Sequence, residues 1–149
     1  MKLAIGCDHG GFVYIDKVLA YLDSKGYIYD YVGTYTPDSC DYSDYAKPVC
    51  EKVQNGEATF GILICGTGIG MSITANKFKG IRCAHVNDSF SAEMTRRHND
   101  ANVIALGARI AEVEDIISYI DIFLNATFDG GRHATRVNKI TEIENKNLV

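Results

Sequence analysis

Two prolines in 149 residues, no apolar run near bilayer length and no surplus of positive charge exclude several kinds of protein at once. With 46% apolar and 23% charged residues and so little proline, the chain has the composition of an ordinary soluble α/β protein, and no stretch is biased enough to stay disordered. A membrane-spanning helix needs about 20 consecutive apolar residues, and the longest runs here fall far short. The start, Met1-Lys2-Leu3-Ala4-Ile5-Gly6, is strand-like at once and then turns polar, without the long apolar segment or cleavage site of a secretory leader, so the expected location is the cytoplasm. A formal net charge of −4 disfavours a nucleic-acid binder, which needs a basic face for phosphate. The local exception is the cluster Arg132, His133 and Arg136. Cysteines at positions 7, 40, 50, 65 and 83 form no C-x-x-C pair and no metal-ligand spacing, which favours reduced thiols and no metal site.

What is present is an alternation of two kinds of segment. Strand patterns occupy residues 2–6, 27–32, 60–64, 81–86 and 101–106, and helix patterns occupy 12–25, 44–55, 70–77, 88–97 and 112–124. Pro48 falls inside the second helix pattern, close enough to its start to be tolerated in a first turn. A last helix, 133–144, carries apolar residues at Val137, Ile140 and Ile143 and is expected to pack outside the main body. This order predicts one α/β domain over 1–149, a three-layer αβα sandwich with a Rossmann-like parallel sheet of about five strands. In such folds ligands bind beyond the carboxyl ends of the strands. Three polar clusters follow such ends and are expected on one rim: Cys7-Asp8-His9-Gly10-Gly11, Cys65 to Gly70, and Gly107-Ala108-Arg109.

The middle cluster has the most to say about chemistry. Cys65 ends an apolar strand and opens into Gly66-Thr67-Gly68-Ile69-Gly70, where backbone N–H groups stay uncovered beside a thiol at a helix start. A helix dipole there favours a thiolate and an oxyanion, the pairing an enzyme needs. Alone, a cysteine is more often a small buried apolar residue, and it is the position that favours a role. Gly66 and Gly68 also begin a G-x-G-x-x-G dinucleotide fingerprint, but Met71 takes the third glycine's place and no P-loop ending follows, so an anion nest is the stronger reading. Asp8 reads equally as a helix N-cap or as a functional carboxylate, and it can be both. His98 reads as a C-cap histidine or as a proton-transfer group. Arg132 and Arg136, four apart, share a helix face; they are either a solvated basic patch or a paired site for an anion, and the flexible Gly130-Gly131 beside them favours the anion.

The runs Gly6-Cys7-Asp8-His9-Gly10-Gly11, Ile62-Leu63-Ile64-Cys65-Gly66-Thr67-Gly68-Ile69-Gly70-Met71-Ser72 and Ala75-Asn76-Lys77 resemble those of type B ribose-5-phosphate isomerases. The likeness continues through Arg97-His98-Asn99-Asp100-Ala101-Asn102-Val103, Gly107-Ala108-Arg109 and Gly130-Gly131-Arg132-His133 with Arg136, in order over nearly the whole chain. It implies conversion of ribose 5-phosphate to ribulose 5-phosphate through a cis-enediolate, in the non-oxidative pentose phosphate pathway, without metal or organic cofactor. In the roles it implies, Cys65 moves the proton between C2 and C1, and His98 with Asp8 opens the furanose ring. The amides of Gly66, Gly68, Ile69 and Gly70, with Thr67, hold the enediolate oxygens; His9, Arg132 and Arg136 bind phosphate, and Asn99 and Arg109 complete the contacts. Some relatives use a glutamate near the next helix instead of the thiol; Cys65 and Met71 place this chain in the thiol branch. The resemblance also implies a homodimer or dimer of dimers with sites shared between subunits.

Three rival functions follow from the same residues. A six-carbon sugar-phosphate isomerase would use identical chemistry in a roomier pocket. A binding module would hold a sugar phosphate through the nest and arginines without turnover. A thiol redox enzyme is disfavoured because no second cysteine sits at resolving distance in the sequence, with Cys7 the one spatial candidate.

Overall fold

The computed structural model describes residues 1–148. Five strands form one wholly parallel sheet: β1 (Lys2–Cys7), β2 (Ile28–Tyr31), β3 (Phe60–Cys65), β4 (Cys83–His85) and β5 (Val103–Gly107), in the spatial order β2-β1-β3-β5-β4. The helices between and after them are α1 (His9–Ser24), α2 (Tyr42–Gln54), α3 (Ile69–Ala75), α4 (Ser89–Arg97), α5 (Val113–Asn125) and α6 (Arg132–Asn147). No helix is long and apolar enough to cross a membrane among the described residues.

Alternation along each strand divides the core between the two faces. Leu3, Ile5, Ile62, Ile64, Ile104 and Leu106 pack with α1 and α5 residues such as Val18, Leu22, Ile116 and Phe123. Their neighbours Ala4, Leu63, Val103 and Ala105 face Val49 and Cys50 of α2 and Met71 and Ala75 of α3. Both faces are covered, which is why the central strands read as continuous apolar runs. By contrast, α6 buries only His133 and Val137, as expected of a helix outside the sandwich.

Several element ends depart from the sequence reading by a few residues, and three of these departures have a clear local setting. First, α1 begins at His9 rather than residue 12, because Asp8 Oδ1 accepts the Gly10 and Gly11 amides at 2.8 and 3.1 Å and so caps the helix early. Second, α2 begins at Tyr42, so Pro48 lies beyond the first turn, where it removes the hydrogen bond its N–H would have made. Third, β4 is only three residues long, an edge strand paired on one side with β5.

A close approach of α1 to β3 sets the site's base. A Cβ on Gly11 would overlap the Ile64 carbonyl, so glycine lets the helix backbone rest directly on the strand. Gly11→Ala is expected to cost about 2 kcal/mol or more, the usual scale of overpacking, read as a lower denaturant midpoint. A midpoint equal to the parent's would show that α1 moves freely off β3.

Candidate active site

From β1 the chain crosses to β2 on one side, and β3 then lies on the other, so the strand order reverses between β1 and β3. The crevice at such a switch point, outside the carboxyl ends, is where open α/β sheets bind ligands. A cavity of about 220 Å³ lies there, lined by Asp8, His9, Gly10, Tyr42, Cys65, Gly66, Thr67, Gly70 and Arg109. The three loop clusters therefore meet on one rim, as their positions after β1, β3 and β5 foretold. They are tied together by backbone bonds: Asp8 N–H to Ile64 O at 3.3 Å, Ala108 N–H to Cys65 O and Arg109 N–H to Gly66 O, both at 2.9 Å.

Cys65 is 4% exposed, and its Sγ accepts the Gly68 N–H at 3.1 Å. Gly68 reaches this orientation at φ 81°, a left-handed conformation that glycine adopts without penalty. At seven residues α3 is too short for a large dipole, so the electrostatic help to sulfur comes from this individual amide. Elsewhere burial pushes the Cys7 thiol up to about 11 and Cys50 up to about 12, and raises Cys83 too. These thiols stay protonated near neutral pH. Cys7 also belongs to the core on the opposite sheet face from Cys65, which removes it as a resolving partner for redox chemistry.

The other groups around the cavity are held as firmly. Asp8, 5% exposed, spends Oδ1 on the cap. The Cys40 backbone N–H points to His9 Nδ1 at 3.2 Å, so in the neutral imidazole Nδ1 is the acceptor and Nε2 carries the proton. Arg109 lies over the Gly66 backbone, where a Cβ would meet its Nη1 at 3.0 Å, and the Tyr42 ring lies against Gly70. Tyr42 carried no sequence signal: it stood at the end of a polar loop, and only the start of α2 brings it to the rim.

His98, Asn99, Arg132 and Arg136 are elsewhere. β5 runs in register with β3, from Val103 beside Gly61 to Gly107 beside Cys65, a rise of roughly 13 Å at the usual strand spacing. His98 caps the C-terminus of α4, before β5 begins, and so sits at the amino-terminal rim of the sheet while Cys65 sits at the carboxyl rim. There it stacks on His133, with ring centroids 4.0 Å apart and planes within 6°. Its Nε2 is 3.9 Å from Asp129 Oδ2, and Arg97 grips the same carboxylate with two bonds of 3.2 Å. The Arg97 guanidinium lowers Asp129 below the usual carboxylate range. Desolvation, then the charges of His98, Arg132 and Arg136, lower His133, which keeps that ring neutral beside its partner. Ligand atoms of His98, Asp129 and His133 lie within 4.8 Å of one another, the spacing of a metal site. Stacked parallel rings do not converge their lone pairs on one ion, however, and the surrounding arginines repel a cation, so the trio suits anion binding and proton transfer better.

A parallel open sheet with a thiol held by a backbone amide, a carboxylate and an arginine around the cavity at its switch point defines an α/β protein with a small polar ligand site. More narrowly, the chain belongs to the ribose/galactose isomerase family, whose family model matches residues 3–140. It is 44% identical over 145 residues to ribose-5-phosphate isomerase B of Escherichia coli, covering 97% of each chain. Its fold matches that of Clostridium thermocellum ribose-5-phosphate isomerase B with a TM-score of 0.96 at 48% identity, over 98% of this chain and 99% of the other. The Mycoplasma genitalium ribose-5-phosphate isomerase B, solved with bound ribulose-5-phosphate, matches at a TM-score of 0.93 and 36% identity, over 98% and 97% of the two chains.

Proposed function

We propose that this chain is a ribose-5-phosphate isomerase, interconverting ribose 5-phosphate and ribulose 5-phosphate through a cis-enediolate. The observation that carries the reading is the Cys65 thiol, bonded by Gly68 N–H, in the rim cavity with Asp8, His9 and Arg109. The Escherichia coli relative's name and the ribulose 5-phosphate held by the Mycoplasma genitalium enzyme support the substrate.

On this reading the thiolate of Cys65 removes the proton from C2 of the open-chain aldose. The electron pair moves into the C1–C2 bond and the aldehyde oxygen gains the negative charge. The O2 hydroxyl proton passes to O1, which moves the negative charge to O2, and the same thiol then returns its proton to C1 as the O2 charge collapses into the C2 carbonyl. A carbon acid α to a carbonyl is many orders of magnitude weaker than a thiol of pKa about 8.5, so most of the acceleration comes from stabilising the enediolate. The amides of Gly66 and Gly70 and the Thr67 hydroxyl serve that purpose, while the Gly68 N–H is held by Cys65 Sγ and the Ile69 N–H by Thr67 Oγ1; one such donor is typically worth about 3 to 4 kcal/mol. His98, with Asp8, transfers the protons of ring opening; His9, Arg132 and Arg136 take the phosphate, with Asn99 and Arg109 on the remaining oxygens.

Because His98 and the two arginines lie at the opposite rim from Cys65, one chain does not complete this site. We infer that a second copy supplies them, in a symmetric homodimer with two shared sites. Arg136→Ala is then expected to raise KM for the sugar phosphate about a hundredfold, the scale of a lost charge-assisted bond to phosphate, with little change in stability. An unchanged KM would separate the arginine pair from the phosphate.

The test of function is kcat/KM for ribose 5-phosphate beside allose 6-phosphate and galactose 6-phosphate, with purified protein. A clear preference for the pentose phosphate is the expected result. Preference for a six-carbon substrate would keep the chemistry and move the specificity; no turnover of any would leave a sugar-phosphate-binding module.

A further inference from the structure

Two bonds at the site belong to one peptide group. The Gly68 N–H of the Thr67–Gly68 peptide points to Cys65 Sγ at 3.1 Å, and the Thr67 carbonyl of that same peptide is met by His85 Nε2 at 2.6 Å. A carbonyl only accepts, so Nε2 of His85 carries the proton. In a planar trans peptide the N–H and C=O point in opposite directions, so whatever holds the carbonyl also aims the amide. Hydrogen bonds in such a chain polarise one another, so a donor on the carbonyl makes the N–H at the far end a stronger donor.

The surroundings make this peptide's orientation specific. β4 pairs with β5 so that His85 stands opposite Ala105, at the edge of the sheet next to the Cys65 turn. The His85 ring fills the space beside Gly68, where a Cβ would come within 2.8 Å of it. Gly107 also lies close against this peptide, since a Cβ there would lie 2.6 Å from Thr67 O.

We propose that His85 is a positioning residue for Cys65, its Nε2–H fixing and polarising the Thr67–Gly68 peptide so that the Gly68 amide stabilises the thiolate. This rests on the reading of Cys65 as the base. When sulfur ionises, its bond to Gly68 N–H becomes charge-assisted and strengthens, and without His85 the peptide is free to rotate and lose it. Asp8, His9, Tyr42 and Arg109 line the same cavity. Asp8 opposes a negative charge on sulfur and Arg109 favours it, and all four remain in place when His85 alone is changed.

The discriminating pair of variants is His85→Phe, which keeps a ring without a donor, and His85→Gln, which offers an amide N–H at similar reach. The readout is the pH dependence of iodoacetamide alkylation at Cys65, followed on the Cys65 peptide by mass spectrometry, beside kcat and KM. In His85→Phe the alkylation midpoint is expected to rise by about one pH unit and kcat at neutral pH to fall about tenfold, with KM nearly unchanged, while His85→Gln stays near the parent. Circular dichroism checks folding, and His85→Leu repeats the comparison if the Phe ring does not fit. A donor-less variant with the parental midpoint, or a Gln variant shifted as far as Phe, overturns the proposal. Alkylation reads the thiol without turnover, so failure here is distinct from failure of the base assignment, which would appear as activity in Cys65→Ala.

Discussion

Cys65→Ala is expected to lose at least about a hundredfold in kcat while still binding ribose 5-phosphate, because a positioned base contributes about 10²–10⁴ and no other group is placed to replace it. His9 is committed through Nδ1 to the Cys40 amide, and Asp8 gives one carboxylate oxygen to the α1 cap. The thiol removed is small, and the buried void left should cost about 1 kcal/mol of stability. Loss of rate without loss of fold is therefore the expected signature. Cys65→Ser should not rescue it, since a hydroxyl ionises far less readily than a thiol. The measurement is kcat by coupled assay with the dissociation constant by calorimetry. Turnover within tenfold of the parent would end the assignment of Cys65 as base.

Mixing two dead variants should restore activity. Cys65→Ala and His98→Ala damage groups on opposite rims, so in a shared-site dimer each homodimer carries two broken sites. A mixed dimer carries one site with both defects and one with neither. Random reassortment of equal amounts makes half the dimers mixed, and the expected recovery is about a quarter of parental activity. His98 is half-buried and stacked on His133, so its loss should leave the sheet intact. The experiment is dissociation and reassociation of the pair, with the mixed species confirmed by differential tagging. No recovery in confirmed mixed dimers would mean that each chain works alone, and the opposite-rim geometry would then need large internal movement.

Much of the candidate site was legible because it is local. Asp8 before two glycines reads as a cap, and it caps Gly10 and Gly11. Cys65 before a glycine run reads as a thiol beside free amides, and Gly68 N–H meets it. Alternating patterns likewise predicted the five strands and six helices with small errors at their ends, where a cap or an edge position moves the boundary. Two things were not legible. His85 lies 18 residues beyond Thr67, and their contact exists because β4 takes the sheet edge beside β5. Tyr42 reaches Gly70 only because α2 starts two residues before the pattern indicated.

By itself, then, the sequence determined the parallel α/β architecture and the three loop clusters that form the rim cavity, because side-chain periodicity and turn chemistry are properties of neighbouring residues. Only the tertiary structure decided the strand order, and with it which residues share a rim. Parallel strands put the end of every helix one full strand length from the loop after the next strand, so Cys65 and His98, both read as chemical groups along the chain, came to lie at opposite rims of the sheet. That separation follows from the direction in which β5 runs, and it is what makes a second chain necessary to the proposed site.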